Sequence, residues 1–267
     1  MNRIQPVRGL LATLRCAQVV AMIFSIAAAA HAQSREAARV SSVKLGDKVI
    51  LIPDPEGYEE ASSQFETIKQ GLVSMESPNN DTLLVHLPVS DCERLRTGSS
   101  PQLFRYAKVA VPKNRRELTV TDEYMTGLVA AWRKNGVVEM DPDGPVVKAV
   151  MERLSLRLSE LTSKQIKFEM NDMQNLGEFD VRPDVYSIMI LATYSKYKEG
   201  TQSIRTMVGS MTWLKIGPRL INVLIYRTLS SPTALNTELK PTVIELKQFT
   251  TKWVNEILAA NREKQSK

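Results

Sequence analysis

The chain is poor in the residues on which many enzymes rely for chemistry, since its 267 residues include only two cysteines and two histidines. Cys16 and His31 lie within the first 32 residues, so Cys92 and His86 stand alone in the remainder. A single cysteine excludes an intramolecular disulfide, and the fold must therefore rest on its hydrophobic core. A catalytic triad or a histidine-ligated metal would have to use His86, and we predict no catalytic, cofactor-binding or metal-binding residue.

The sequence also lacks a large excess of charge and the short motifs of common enzyme families. Glycine-rich phosphate loops, Cys-x-x-Cys pairs, a Gly-x-Ser-x-Gly elbow and His-Glu-x-x-His are absent. The net charge of +6 falls to +3 once the three arginines of residues 1–32 are set aside. So small a charge gives no footprint for nucleic acid, and we predict no nucleic-acid partner.

Residues 1–32 have the composition of an export signal. Three arginines and no acidic residue precede the apolar stretch Cys16–Ala30. This stretch has about the length of the apolar region of a signal peptide and is too short to span a bilayer comfortably. Ala30, His31 and Ala32 then supply a small-x-small cleavage site. We predict cleavage between Ala32 and Gln33, a periplasmic or secreted location and no transmembrane segment in the mature chain. An uncleaved N-terminal anchor is the alternative.

Hydrophobic patterning predicts several strands in the first half of the mature chain. Val40–Leu45 and Lys48–Ile52 form a predicted hairpin around a Gly-Asp turn. Further strands are predicted at Thr82–Val89 and Leu103–Val111. The polar segment Ser90–Pro101 between them is predicted to be irregular.

Three helices are predicted before residue 163. The first covers 58–72, because apolar residues recur there at helical spacing: Ala61, Phe65, Ile68 and Leu72. The second covers 121–135, between an N-capping Thr121 and a terminating Gly136. The third covers 145–161 and has an apolar side of its own.

The chain after residue 163 is predicted to be rich in strands. Lys164–Met170 alternates between apolar and polar residues, which is typical of a strand with one solvated face. Asn171–Asp184 is predicted to be a connection. Val185–Tyr194 is apolar on both alternating sets, as a strand covered on both faces would be.

The C-terminal stretch predicts a strand–turn–strand–helix unit. Two strands meet at a Gly217-Pro218 turn, and the second has apolar residues on both faces. A helix over 241–262 follows, with Pro241 near its first position. Its buried stripe is formed by Val243, Leu246, Phe249, Trp253 and Ile257. We expect Trp213 and Trp253 in the core rather than on a binding platform.

Together these elements predict an α+β fold with four helices and about seven strands. Several strands are apolar on both faces, so one layer of helices cannot cover the sheet. The prediction is a three-layer sandwich with a largely antiparallel sheet between two layers of helices. No linker or repeat divides residues 33–267, which are expected to form a single domain.

The order of elements resembles a known group of proteins. An N-terminal hairpin, a stop at Pro55-Glu-Gly-Tyr58, antiparallel strands and a closing helix ending in Leu258-Ala-Ala-Asn261 resemble the PsbP-like or Mog-like α/β/α sandwich of exported bacterial proteins of unassigned function. The pattern covers residues 40–262. The group includes photosystem assembly subunits, a Ran-binding protein and bacterial envelope proteins, so the resemblance implies a binding or accessory role without naming a ligand.

His86 and Cys92 are the obvious chemical candidates, and each has a structural alternative. His86 lies within an apolar strand, where packing or a bond to a backbone carbonyl is the expected role. As a general base it would need partners from elsewhere. Cys92 is flanked by Asp91 and Glu93, which disfavour the thiolate, so an unreactive thiol is expected and an intermolecular disulfide is the alternative.

Two further clusters attract attention. Asp141, Asp143 and Glu152 match three positions of an EF-hand loop, but Val146 stands where the loop needs glycine, so a turn before a helix is predicted. Lys113, Arg115 and Arg116, with Lys108 nearby, form the densest basic patch. The patch could attract phosphates or anionic lipid head groups, although a solvated strand end is the simpler interpretation.

Two main functional hypotheses follow. The first is an exported, non-catalytic binding or accessory protein with an unknown protein or small-molecule partner in the cell envelope. It would work through a sheet edge, a groove beside the C-terminal helix, or the polar segments Ser90–Pro101 and Asn171–Asp184. The second is an envelope hydrolase or transferase that uses His86 with Asp91, Glu93 and Asp141. A purely structural envelope protein is a third class.

Overall fold

A seven-stranded antiparallel sheet organises the chain from Val40 onward, which forms one compact unit. The computed structural model describes residues 39–73, 79–136, 143–162, 164–231 and 234–265. The predicted signal peptide and its cleavage site lie outside the described residues.

The described residues form nine strands and five α-helices. The strands are β1 (Val40–Leu45), β2 (Lys48–Pro53), β3 (Tyr58–Glu60), β4 (Asn80–Pro88), β5 (Arg105–Pro112), β6 (Ile166–Arg182), β7 (Val185–Lys198), β8 (Thr201–Ile216) and β9 (Arg219–Thr228). The helices are α1 (Glu66–Val73), α2 (Val89–Arg96), α3 (Asp122–Asn135), α4 (Pro145–Thr162) and α5 (Leu235–Gln265). A short 3₁₀ turn, Lys113–Arg115, follows β5.

The main sheet has the order β3-β4-β5-β9-β8-β7-β6, and every neighbouring pair is antiparallel. The first two strands form a separate hairpin. Strands β6 to β9 are joined by tight turns, whereas β5 reaches β9 only across the two helices α3 and α4 and three strands. This crossover places the N-terminal strands beside the C-terminal hairpin.

One face of the sheet is covered by α5 and the β1–β2 hairpin. Ile221, Val223 and Ile225 of β9 lie in this core, where Trp253 of α5 is 1% exposed. Hydrogen bonds secure the layer, since Trp253 donates from Nε1 to the Pro53 carbonyl at 2.8 Å. The predicted stripe on the last helix is confirmed, with its residues buried or partly buried in this core.

The other face is covered by α1 to α4, which pack as separate patches. Met125 of α3 packs with Leu220 and Trp213, α1 and α2 cover β4, and Leu154 of α4 packs on Phe168 of β6. The two faces of β9 are therefore both buried, as its sequence predicts. The α+β sandwich with helices on both sides of a large antiparallel sheet is the observed fold.

Two sequence predictions are wrong, one in the first half of the chain and one at its end. Tyr58–Glu60 is a strand paired with β4, and the helix begins only at Glu66. The helical spacing of Ala61 and Phe65 arises in a turn, in which the Phe65 amide donates to the Ala61 carbonyl at 2.9 Å. The last helix begins at Leu235, so Pro241 lies inside it rather than near its first position.

The two polar segments expected to be irregular are largely regular. Most of the first is helix α2, which begins directly after Pro88 and is too short to show a clear period. The second continues β6 to Arg182. Irregularities in the pairing of β6 with β7 between Met170 and Asp172, between Asn175 and Gly177, and between Glu178 and Asp180 shift the alternation, and the strand lies at the sheet edge. Both features remove the pattern that predicts a strand.

Candidate binding cleft

Three adjoining cavities form a cleft on the face of the sheet that α1 to α4 cover. The last helix, α5, covers the opposite face. A central cavity of about 150 Å³ lies between the sheet and α4. A polar cavity of about 400 Å³ adjoins it and shares Asn80, Trp213 and Asn222 with it. A wide cavity of about 650 Å³ adjoins it as well and shares Tyr106, Met151, Met170 and Met207. The cleft therefore crosses the middle of the sheet, away from the C-terminal helix beside which a groove was expected.

The strand register explains which side chains form the cleft floor. Residues directly opposite each other on paired strands project from the same face. Met211 pairs with Leu224, and Leu224 pairs with Lys108, so β8, β9 and β5 each contribute a residue to one row of the floor. The next row contains Ile190, Gly209 and Tyr226.

Gly209 leaves space in this second row for an aromatic ring. A Cβ atom at position 209 would lie 2.8 Å from Cδ1 of Tyr226 and 3.1 Å from Cγ1 of Ile190. The Tyr226 ring also contacts Tyr106, with ring centroids 4.9 Å apart. The glycine thus makes room for the Tyr226 ring, which is tilted by 35° relative to the ring of Tyr106.

Methionines are concentrated around the central cavity. Five of the eleven in the chain line it: Met151, Met170, Met173, Met207 and Met211. Methionine is unbranched and polarisable, so a surface built from it adapts to apolar ligands of different shape. The remaining lining is also mostly apolar, with Val146, Val147 and Val150 contributed by α4.

The polar cavity has a different chemistry. Four asparagines line it together with Lys113, Arg115, Trp132 and Trp213: they are Asn79, Asn80, Asn114 and Asn222. Asn222 lines both this cavity and the central one, and its Oδ1 atom is buried without a hydrogen-bond donor among the described residues. The rings of Trp132 and Trp213 are in contact, with centroids 4.3 Å apart. Trp213 is otherwise a core residue, as predicted.

The wide cavity ends at a group of three cations. Lys196 and Lys198 of β7 alternate along one face, and Arg205 of β8 lies on the same face opposite Tyr194. Within the described residues, no carboxylate lies within ion-pair distance of these three side chains. Burial lowers the pKa of Lys196, and the positive charges of Lys198 and Arg205 lower it further. The site is therefore electropositive as well as partly enclosed.

The basic patch identified in the sequence is divided by the fold. Lys113 and Arg115 line the polar cavity, whereas Arg116 donates to Asp81 at 3.2 Å. Lys108 is only 5% exposed and lines the central cavity, so it doesn't belong to a solvated strand end. The alternation of side chains along β5 is consistent with this buried position, because the residues on either side of Lys108 face the opposite core.

His86 lies outside the cleft, in the core beneath α5. Its side chain is fully buried, and its Nε2 atom lies 3.2 Å from Oδ1 of Asp54, although the contact does not meet the angular criteria of a hydrogen bond. The imidazole packs edge-on against Trp253, with ring centroids 5.2 Å apart. The predicted packing role agrees with this environment, but the polar neighbour is a carboxylate rather than a backbone carbonyl.

Two of the acidic residues proposed as partners of His86, Asp91 and Glu93, do not contact it. Asp91 is buried and accepts hydrogen bonds from the backbone amides of Gln102 and Leu103, at 2.8 and 3.1 Å. Among the described residues, no hydrogen bond or ion pair joins Asp91 or Glu93 to His86. Asp141 lies outside the described residues.

Cys92 is buried on the same side of the sheet as α1. Its Sγ atom lies 4.0 Å from the Leu87 carbonyl, and none of the side chain is exposed. Burial raises the pKa of the thiol to about 11, and the nearby negative charge of Glu59 contributes to the rise. The geometry agrees with an unreactive thiol and gives a partner chain no access to it.

The described residues contain no cluster of three or more histidine, cysteine or acidic side chains that could hold a metal ion. Asp143, from the sequence that partly matches an EF-hand, has a side chain that is 95% exposed and 4.0 Å from Lys148. Within the same residues, no helix combines the length and apolar character needed to cross a bilayer.

Comparisons with known proteins identify no family for the chain. No family model matches it, and no curated protein matches it. Among solved structures, the Saccharomyces cerevisiae Ran-binding protein Mog1p is 13% identical over 84% of this chain and 94% of its own, with a TM-score of 0.32. A mutant of Mog1 is 12% identical, with the same coverage and TM-score. These structures come from the Mog-like side of the resemblance seen in the sequence, and so weak a similarity carries no information on function.

Proposed function

We propose that the protein is an exported, non-catalytic binding protein of the cell envelope and that the cleft is its binding site. The observation that carries this proposal is the chain of three adjoining cavities, which joins an apolar centre to two polar ends. Ligand sites in proteins are typically concave and mostly apolar, with a few polar groups that orient the ligand. The cleft has this composition.

An enzymatic role is less well supported. The histidine on which it depends is fully buried beneath α5, and Asp91, one of the proposed acids, accepts a hydrogen bond from the Gln102 amide instead. If His86 acted as a general base, His86→Ala would abolish an activity while Ala192→Leu, in the cleft, would leave it intact. If the cleft is a binding site, Ala192→Leu should weaken ligand binding and His86→Ala should leave it intact.

The site is tested with N-phenyl-1-naphthylamine, an uncharged dye whose fluorescence rises in apolar surroundings. We expect the mature protein to bind it with one site per chain. Ala192→Leu and Val150→Phe both place additional carbon atoms in the central cavity and should weaken dye binding at least tenfold. Ala131→Leu, at an exposed position of α3, is the matched control and should bind as the original protein does.

The thermal unfolding midpoints of all three variants show whether each is folded. No dye binding by the original protein, or equal binding by the cavity-filling variants, would exclude the cleft as the site. Export is tested separately by intact mass measurement of protein recovered from the envelope fraction. A chain beginning at Gln33 supports it, and a chain that retains residues 1–32 contradicts it.

A further inference from the structure

We propose that the cleft binds an anionic lipid. The head group would lie among Lys196, Lys198 and Arg205, and the alkyl chain would lie along the methionine-lined centre. The inference rests on the proposed function, because it names the class of ligand that the same cleft takes.

The charge at the wide end favours an anion. Three cations line one partly open cavity, of which Lys196 is half-buried while Lys198 and Arg205 are exposed. Among the described residues of the lining, the one acidic residue, Glu199, is already 3.1 Å from Lys164. Like charges held close together repel one another, and partial burial adds to the cost at Lys196, so an anion placed between them is stabilising. The head group of a bound lipid would therefore supply the negative charge beside these cations.

Three residues with hydroxyl groups, Thr201, Ser203 and Thr228, line the cavity at the same end. The Ser203 hydroxyl donates to the Lys196 carbonyl over a long 3.4 Å, a bond that a head-group oxygen would have to replace. Ser203 lies directly opposite Lys196 in the strand pairing, so both project from the same face. Phosphate and carboxylate oxygens accept bonds from ammonium, guanidinium and hydroxyl groups, and those from cations are the stronger ones.

The apolar space next to the cations indicates that the ligand also has an apolar part. Tyr106, Met151, Met170 and Met207 line both the wide cavity and the central one, so the cleft continues from the charged end into an apolar space. A free phosphate would leave that space unfilled. A lipid with one anionic head group satisfies both regions, because it buries its chain while its charge stays among the cations.

The opposite end of the cleft carries less unbalanced charge. Lys113 lies 4.0 Å from Asp81, and the guanidinium of Arg115 lies over the Tyr124 ring, 5.9 Å from its centroid. Lys196 is also near a ring, that of Phe168, but in the described part of the chain it forms no ion pair with an acid. The head group is therefore assigned to the end that holds Lys196.

Displacement of the uncharged dye from the full mature protein tests the ligand class. The competitors are dodecyl phosphate, dodecyltrimethylammonium and dodecanol, each below its micelle concentration or solubility limit, and inorganic phosphate. We expect dodecyl phosphate to displace the dye at a concentration at least about tenfold lower than the cationic compound. Inorganic phosphate alone should not displace it. Equal potency of the anionic and cationic chains, or displacement by inorganic phosphate, would overturn the inference.

Charge-reversal variants locate the head group. Lys198→Glu with Arg205→Glu should weaken dodecyl phosphate at least about tenfold and leave dodecanol unchanged within about twofold. Lys240→Glu with Arg262→Glu, on exposed positions of α5, has the same change in net charge and is the control, which should bind dodecyl phosphate as the original protein does. Lys113→Glu with Arg115→Glu tests the other end of the cleft and should weaken dodecyl phosphate less than the variant at the wide end does.

Each result decides between the two proposals. If the dye fails to bind the original protein, the cleft is not a site and both proposals fall. If the dye binds but charge has no effect, the binding role stands and the lipid class is wrong. Weakened binding in the Lys113 and Arg115 variant alone would overturn the placement of the head group. Lys196→Met keeps the length of the side chain and repeats the test in milder form, should the double variant at the wide end unfold.

Discussion

The imidazole Nε2 atom of His86 lies 3.2 Å from Oδ1 of Asp54, and both side chains are buried. Asp54 belongs to the connection between the hairpin strand β2 and the edge strand β3, whereas His86 lies in β4. Trp253 of α5 packs on the imidazole and donates to the carbonyl of Pro53. The contact therefore joins the hairpin, the sheet and the last helix at one point.

Removal of Asp54 should destabilise the protein without affecting the cleft. Asp54→Ala removes the carboxylate beside a buried imidazole and also the acceptor of the Glu60 amide, and leaving buried polar groups without a partner costs about 1 to 3 kcal/mol of unfolding free energy. Urea denaturation followed by tryptophan fluorescence measures the change. Asp143→Ala, at an exposed carboxylate, is the control. An unchanged denaturation midpoint for Asp54→Ala would show that the pair contributes nothing, and dye binding should be equal in all three proteins.

The local pattern of β4 was enough to predict that His86 is buried, but not which residue it meets. Leu84 and His86 alternate with Val85 and Leu87, and the structure places the two sets in opposite cores. Asp54 lies in a loop between two prolines, where no periodicity indicates burial. Its contact with His86 depends on the hairpin folding under α5, which is a tertiary event without a local signal.

Asn261 should be needed to hold the hairpin to the last helix. Its side-chain amide donates to the Leu51 carbonyl at 2.7 Å and accepts from the Leu51 amide at 2.9 Å, as a neighbouring strand would. Asn261→Asp replaces the donor with an acceptor facing a carbonyl, which should cost about 2 kcal/mol. Hydrogen exchange at the Leu51 amide should become faster. Asn236→Asp, exposed near the start of α5, should leave both measurements unchanged.

Cys92 should react with thiol reagents only after unfolding. Its pKa of about 11 lies two units above the ordinary value of 9.0, so the thiolate is about 100-fold scarcer at pH 8, and the side chain is also buried. Iodoacetamide labelling followed by intact mass measurement should give unmodified protein in buffer and one added group in urea. Rapid labelling of the folded protein, or a disulfide-linked dimer on a non-reducing gel, would contradict this expectation.

The cleft was harder to predict than the core for a reason that lies in the topology. Patterning of β9 correctly assigns Leu224 and Tyr226 to one face, and the alternation of β5 assigns Tyr106 and Lys108 to one of its own. The two strands are more than 100 residues apart in the chain and pair only through the crossover. Until that pairing is known, their residues cannot be placed in one floor. The three cations at the wide end come from β7 and β8, and only the pairing of these two strands brings them together.

Glu178 and Arg133 should make a pH-dependent contribution to stability. Arg133 of α3 donates to both carboxylate oxygens of Glu178 on β6, at 2.7 and 2.6 Å, and this lowers the pKa of Glu178 below its ordinary value of 4.5. Because the folded pKa is the lower one, the contribution is fully present above about pH 4.5 and is lost as the pH falls through the folded value. Glu178→Gln should therefore be less stable than the original protein at pH 7, and the difference should shrink at an acidic pH below 4.5.

Urea denaturation at the two pH values measures this difference. Glu152→Gln removes an exposed carboxylate of α4 and is the matched control, which should show no such convergence. Raising the salt concentration should reduce the effect at pH 7, since exposed charges are screened. A stability difference that persists at low pH would mean that Glu178 acts through its packing or its bond from the Tyr186 hydroxyl, at 3.0 Å, rather than through its charge. Loss of the stability difference at low pH would instead show that the ion pair holds α3 to β6. The segment of β6 concerned is one that the sequence pattern predicts to be a connection.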